Sequence, residues 1–318
     1  MEIKIKTLTP IWTGGVDSRT CDRIHETGII GSLRWWYEAV VRGLGGYACD
    51  PTGNNKCEFN TKAYEKAKKD RKSIEEAIKI GLADVCPACE LFGCTGWGRK
   101  VKVNIDDCGI ERNPTIKNNV EIGREGIFIV QLHELKKITD EEKWLMHNVF
   151  YLIDKYGTIG GKCMLKPSNS SKSGKYCEDK GQVKVIWEES DIGKPNIDKK
   201  SFQGKLFNQK QRFEKNGRQV SKEWPDLRYF IFSPENSLDA SKYIKLQDFP
   251  SYSNFLKGEK GEGKKQAKAN KFASFKNEKR FWGYTKVDDT MFNQVLDKLD
   301  ELGLTDIKKG SEVIENEL

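Results

Sequence analysis

Residues 27–46 read TGIIGSLRWWYEAVVRGLGG, and the spacing of apolar residues in this stretch decides how the chain begins to fold. At roughly 100° per residue, Leu33, Trp36, Tyr37, Val40 and Leu44 form one stripe, the mark of a helix laid on a core. Arg34, Trp35, Glu38 and Arg42 lie opposite. Ser32 is the expected N-cap, because its hydroxyl accepts a free backbone N–H, and Gly45 and Gly46 supply the left-handed geometry that ends helices. A helix opened by Gly31 and Ser32 would point unpaired N–H groups and its positive dipole end outward, a seat for a phosphate that Arg34 neutralises. The same charged face also suits i,i+4 ion pairs, Arg34 with Glu38 and Glu38 with Arg42, on a solvated surface. Trp35 fits neither picture unless a base or a protein partner covers its indole.

Working outward, residues 2–8 alternate as EIKIKTL, the period of a half-buried strand, and a polar loop joins them to the helix. Residues 61–81 form a second helical stretch, charged enough to be an insertion. Residues 99–105 alternate again, residues 126–132 are a continuous apolar strand, and residues 139–156 are helical behind the capping box T-D-E-E. A strand follows at 182–187. The order β, α, insertion, β, β, α, β is the split βαβ, ferredoxin-like arrangement, whose open sheet face is a common platform for single-stranded RNA. A polar, proline-bearing stretch at 191–203 marks a boundary. The second half offers a strand at 227–232, possible strands at 243–246 and 272–275, and a helix at 288–302, with no sequence repeat. The expected class is therefore α+β, with a first domain over 1–190 carrying a helical, cysteine-bearing insertion near 45–97, and a smaller second domain over 191–318.

Composition bounds the function only loosely. The chain of 318 residues has a mean hydropathy of -0.68, and its apolar runs fall far short of the roughly 20 residues a membrane helix needs. No uncharged hydrophobic block opens the chain, so no membrane partner is expected and cytoplasmic residence is the default. Nine cysteines, an odd number, do not suit a secreted disulfide framework. The net charge is +8, but residues 257–280 alone carry nine basic side chains against three acidic ones, so bulk charge does not locate a groove. That lysine-rich, glycine-rich stretch reads as a solvated flexible loop.

Cys86, Cys89 and Cys94 give C-x2-C-x4-C, a turn able to present two or three thiolates to zinc. A fourth ligand is missing nearby, and Cys49, Cys57, Cys108 or a histidine would have to complete the set in space. Cysteines used as small buried hydrophobes account for the pattern as well, so no cofactor is expected and zinc is the alternative. No nucleophile elbow, zinc-protease helix or phosphate loop is present. His25, in a loop crowded with Asp17 and Asp22, is the one sensible general acid or base. Residues 156–166, YGTIGGKCMLK, combine three glycines with two lysines, letting the backbone approach a phosphate closely, although a helix end followed by a turn would use the same glycines. Arg99 and Lys100 add cations at the start of a strand.

The segments TPIWTGG, GIIGSLRWWYE and CPACELFGCTGW, and the Gly160-Gly161 loop, occur in an order that resembles RAMP-superfamily CRISPR-associated proteins, over about residues 7–166. Within that superfamily the resemblance runs to the first subunits of Cmr (type III-B) effector complexes. It implies two tandem ferredoxin-like (RRM-like) domains with helical insertions and no nuclease activity of the chain's own. The implied partners are CRISPR RNA, target single-stranded RNA and other RAMP subunits of the Cmr complex, with the chain near the 3′ region of the guide. Carried over by motif, the RNA-facing positions are Gly31, Ser32, Arg34 and Trp35 at the opening helix and Gly160, Gly161 and Lys162 in the glycine-rich loop. Two alternatives stay open: a ribonuclease using His25 or Asp17 and Asp22, and a purely structural assembly subunit.

Overall fold

A computed structural model describes the chain apart from residues 16–19, 54–55, 118–119, 164–178, 248, 250–252, 257, 259–269 and 277. The expected lysine-rich loop falls largely outside the described residues. The first strand, β1 (Glu2–Thr7), turns Ile3 and Ile5 into the core and Glu2 and Lys6 to solvent, as its alternation requires. Helix α1 (Glu26–Gly43) follows, then the insertion with α2 (Thr61–Lys69), α3 (Ile74–Gly81) and α4 (Pro87–Phe92). Strands β2 (Val101–Lys117) and β3 (Val120–Glu134), helix α5 (Asp140–Lys155) and strand β4 (Val183–Val185) complete the first unit. The sheet order is β2-β3-β1-β4 with antiparallel neighbours, and Ile5 stands opposite Phe128. That is the ferredoxin-like order.

Helix α6 (Lys199–Lys215) leads to the second unit: β5 (Phe230–Ser233), α7 (Ala240–Gln247), α8 (Ser253–Leu256), β6 (Phe272–Phe275), β7 (Arg280–Tyr284), α9 (Asp289–Glu301), β8 (Lys308–Lys309) and α10 (Gly310–Asn316). Its sheet order, β6-β7-β5-β8, repeats the spatial order of the first. The mixed α+β class and the paired ferredoxin-like sheets agree with the sequence.

Several elements differ from their expected form. The helical stretch at 61–81 is two helices, parted where Arg71 takes φ 58° and Ser73 caps a new start by accepting the Glu76 N–H. The central hairpin runs far beyond 105 and begins before 126, through residues rich in turn formers, with register shifts at Asp106/Gly109 and Asn113/Ile116. Residues 243–246 are helical, not a strand. Asp239 receives the Lys242 N–H at the start of α7, and Tyr243 and Leu246, three apart, bury the same side. Helix α6 escaped notice because only Phe202, Leu206 and Phe213 of its 17 residues are buried.

The second sheet has no open face. Ile231, Phe272 and Phe281 meet Tyr243, Leu246, Val295 and Leu299 of α7 and α9 on one side. On the other, Phe230, Phe232, Trp282 and Tyr284 join the core that contains Ile3, Leu33 and Phe128, so this face lies against the first unit and is not an RNA platform. The outer face of the first sheet does remain accessible, with Lys6, Lys102 and His133 exposed and Ile127 37% exposed.

The chain end reinforces the joint. Tyr151 of α5 and Tyr156, which caps its C-terminus, each donate to the Glu317 carboxylate at 2.7 Å, and Lys308 donates to it at 2.8 Å. Burial opposes ionisation of Glu317, but the bonds from Lys308, Tyr156 and Tyr151 outweigh it and hold the carboxyl below its usual pKa. A carboxyl with a depressed folded-state pKa contributes stability above its unfolded pKa, about 4.3, and loses it as pH falls through the folded value. Glu317→Gln is therefore expected to cost about 1–3 kcal/mol at pH 7, and the gap from wild type should narrow below about pH 4. Urea unfolding at the two pH values measures this, and a gap independent of pH would refute it.

Candidate nucleic-acid interface

The first part of the loop between β1 and α1, residues 10–12, is pinned by backbone bonds. Ile11 exchanges N–H···O bonds with Arg124 at 2.8 and 2.9 Å, Pro10 accepts the Gly181 N–H at 2.9 Å, and Trp12 accepts the Gly161 N–H at 2.6 Å. Gly160 sits at φ 89°, and a Cβ there would lie 2.9 Å from the Trp12 carbonyl oxygen, so glycine is what lets this turn come so near. From α1, the Ser32 hydroxyl accepts the Gly160 N–H at 2.9 Å and stands 3.3 Å from the Gly160 carbonyl. Ser32 and Gly160, remote in sequence, thus meet. Lys162 rests its ammonium 3.6 Å over the Trp12 ring, where burial pulls its pKa below the ordinary lysine value. Thr27 and Gly31, one turn apart on α1, are exposed beside this junction, and a Cβ at Gly31 would meet nothing within 4 Å.

The helix itself starts earlier than its sequence suggests. His25, not Ser32, is the N-cap residue, and the His25 N–H is received by the Thr13 hydroxyl at 2.9 Å. Ser32 is about 10 Å along the axis from that end, so its hydroxyl bonds the glycine turn instead of a helix N–H. The Gly28 and Ile29 N–H groups already donate to the His25 carbonyl, at 3.0 and 3.2 Å, so α1 is under way before Gly31 and Ser32 and these two do not open it.

Arg34 and Trp35 are half-buried, and their side chains are engaged within the protein. Arg34 donates from Nε to Glu38 at 2.8 Å, from Nη1 to the Gly93 carbonyl at 3.2 Å and from Nη2 to the Cys89 sulfur at 3.1 Å, all directed inward. Trp35 is covered by protein: its ring centroid lies 5.0 Å from Trp36, 5.8 Å from Phe230, 5.9 Å from Tyr284 and 6.0 Å from Trp282. Trp35 therefore joins the two units. Arg42 and Glu38 pair as spacing suggests, yet both are buried, at 2% and 5% exposure, and not on a solvated face. Lys100 is buried between Glu90 at 2.7 Å and Glu142 at 2.9 Å, so its charge is already neutralised; Arg99 is exposed.

A RAMP superfamily model matches residues 4–165, from β1 through the glycine turn and just over half of the chain. The chain belongs to the RAMP superfamily. Membership carries a CRISPR-associated, RNA-binding role, and the matched span contains both halves of the Ser32–Gly160 junction. No curated protein matches the chain.

This RAMP chain also brings together two groups with possible chemistry. His25 Nε2 lies 2.9 Å from Asp22 Oδ1, and that bond holds the Asp22 carboxyl below its ordinary pKa. Asp17 lies outside the described residues. His147, bonded to the Ile192 carbonyl, and His133, beside Asn104, stand apart from them. Cys86 and Cys89 do converge with other thiols, but their companions are Cys49 and Cys57, with all four sulfurs within 4.8 Å of one another. Cys94 is not one of the four; past the Gly93 turn its backbone pairs with Trp97. Spacing favoured Cys94 because nearness in sequence is all that spacing registers, whereas Cys49 and Cys57 arrive from the far end of the insertion.

Trp12 and Thr13 complete the junction and were not named as site residues, although the segment TPIWTGG that holds them was part of the family resemblance. Since Trp35 is a packing residue, Trp35→Ala should destabilise the fold by about 3–5 kcal/mol in urea unfolding. An unchanged midpoint would restore Trp35 as a free surface.

Proposed function

We propose that this RAMP chain is a non-catalytic RNA-binding subunit of a type III-B, Cmr-type CRISPR ribonucleoprotein, seating the 3′ region of the guide RNA or the target paired with it across the Ser32–Gly160 junction. The observation that carries the reading is the junction: two glycine-bearing segments, both expected to face RNA, meet by hydrogen bonds at a place where Thr27 and Gly31 are exposed. Gly31 keeps the helix surface bare of side chain there, which favours close approach of a sugar-phosphate backbone. Lys162, held over Trp12, supplies positive charge at the rim. Such contacts position a strand without reading bases, as suits a complex in which guide pairing selects the target. Neighbouring RAMP subunits would extend the groove.

A ribonuclease reading has one observation in its favour, the 2.9 Å contact of His25 with Asp22, which would orient the imidazole as a general base. The purified chain, incubated with labelled RNA, is expected to leave it intact; cleavage lost in His25→Ala would make the ribonuclease reading the correct one.

Binding is tested by titrating guide-length RNA over a range of salt. Gly31→Glu, which has room at its Cβ, should weaken RNA affinity at least roughly tenfold with no loss of thermal stability, by setting a carboxylate against phosphate. Lys162→Ala should flatten the log-log salt dependence by about one unit. If both variants bind like wild type while assembly with other subunits suffers, the chain is a protein scaffold and the RNA reading fails.

A further inference from the structure

The geometry points to a structural zinc site, a tetrathiolate of Cys49, Cys57, Cys86 and Cys89, that staples the insertion to α1. This inference is independent of the RNA reading. Three segments supply the ligands: Cys49 follows α1, Cys57 precedes α2, and Cys86 and Cys89 open α4, where Cys86 is the N-cap residue and Pro87 sets the first helical turn. The Cys49 sulfur is 3.4 Å from that of Cys89 and 3.9 Å from that of Cys86. A tetrahedral zinc with bonds of about 2.3 Å places its sulfurs about 3.8 Å apart, close to these separations. None of the four is in a disulfide, and all are buried, so water and competing ligands are kept out.

The surroundings are those of anionic sulfur and not of apolar thiols. Arg34 Nη2 points at the Cys89 sulfur at 3.1 Å, Arg218 Nη1 at the Cys57 sulfur at 3.9 Å, and the Cys86 N–H at the Cys57 sulfur at 3.3 Å. Four thiolates around one divalent zinc carry two net negative charges, and two guanidinium groups lie against them. Binding would release the thiol protons to water and leave oxidation states unchanged.

The insertion also needs such a staple. Between Cys57 and Cys86, helices α2 and α3 bury only Ala67, Ala77 and Gly81 of their own residues, too little apolar surface to fix two helices. A metal joining both ends of that segment to Cys49, in the stretch that follows α1, replaces the missing core. Arg42 assists from α1 by donating to the Ala48 and Cys49 carbonyls at 3.0 and 3.1 Å.

Full-length protein expressed in zinc-supplemented medium and purified in reductant should contain one zinc per chain by elemental analysis. Chelation should lower its melting temperature, and Zn²⁺, but not Mg²⁺, should restore it. Co²⁺ in place of zinc should give the intense visible bands and sulfur-to-metal charge transfer of a tetrahedral tetrathiolate, a readout that requires no variant. Cys94→Ser and Cys108→Ser should retain the metal, and Cys49→Ser or Cys89→Ser should lose it. Zinc-free protein, loss of metal in Cys94→Ser, or a Cys49–Cys89 disulfide in the reduced preparation would each overturn the assignment.

Discussion

The burial of α1 on both of its long faces is the constraint on which the rest of this molecule depends. Leu33, Tyr37 and Val40 are buried in the shared core, while Trp35 and Trp36 both lie against Phe230 and Trp282 of the second sheet, and Trp35 against Tyr284 as well. Beyond Gly31 a helix so placed has little solvated side for its charges, and there the chain carries a buried acid between two bases. Glu38 lies 2.8 Å from Arg34 and 3.6 Å from Arg42. Burial raises the Glu38 pKa and the two guanidinium groups oppose that rise. A buried pair of this kind adds little net stability, but loss of one partner strands the other, at a cost of about 3–5 kcal/mol. Its value lies in where the spare donors go. Arg42 also binds the carbonyls of Ala48, Cys49 and Pro225, tying the start of the insertion and the approach to the second sheet to one helix.

How much of this could be read from residues alone depended on whether the deciding contact was local. The stripe of α1, the alternation of β1, the Thr139 capping box and the strand at Phe272–Phe275 are short-range patterns, and they were legible. The start of α1 was not, because Gly28 and Gly31 weaken helix propensity and Ser32 mimics a cap, while tertiary contacts from Thr13 and Gly160 hold the earlier turns. The fate of Arg34, Trp35 and Lys100 was equally hidden. A charged or aromatic residue opposite an apolar stripe signals solvent only when the helix has one buried face, and α1 has two. Strand β7 gave no alternation to detect, since all five of its residues are buried.

The site divides in the same way. Gly31 was read as opening a helix end for phosphate and Gly160 and Gly161 for close backbone approach, and the structure joins Ser32 to Gly160 through 2.9 Å of hydrogen bond. That one of these glycines is instead needed to approach Trp12 follows from a contact between segments about 150 residues apart, which no local window contains. The thiols show the same limit, with Cys94 favoured by proximity in the chain and Cys49 and Cys57 delivered by the fold.

Withdrawing Arg34, Trp35 and Lys100 from the surface changes the energetics of the proposed RNA contact. Without them the junction offers Lys162, hydroxyls and backbone, so its electrostatic contribution is that of very few phosphates. Most of the excess positive charge resides at 257–280, in the second half of the chain and outside the matched family span. A junction of this composition suits a strand already held elsewhere: within an assembly, neighbours supply the effective concentration and the junction supplies register, since an uncharged glycine surface admits a backbone closely without attracting it from solution. On the proposed reading the burial of most of α1 keeps its accessible end rigid, and rigidity, more than charge, is what the junction would offer an RNA strand.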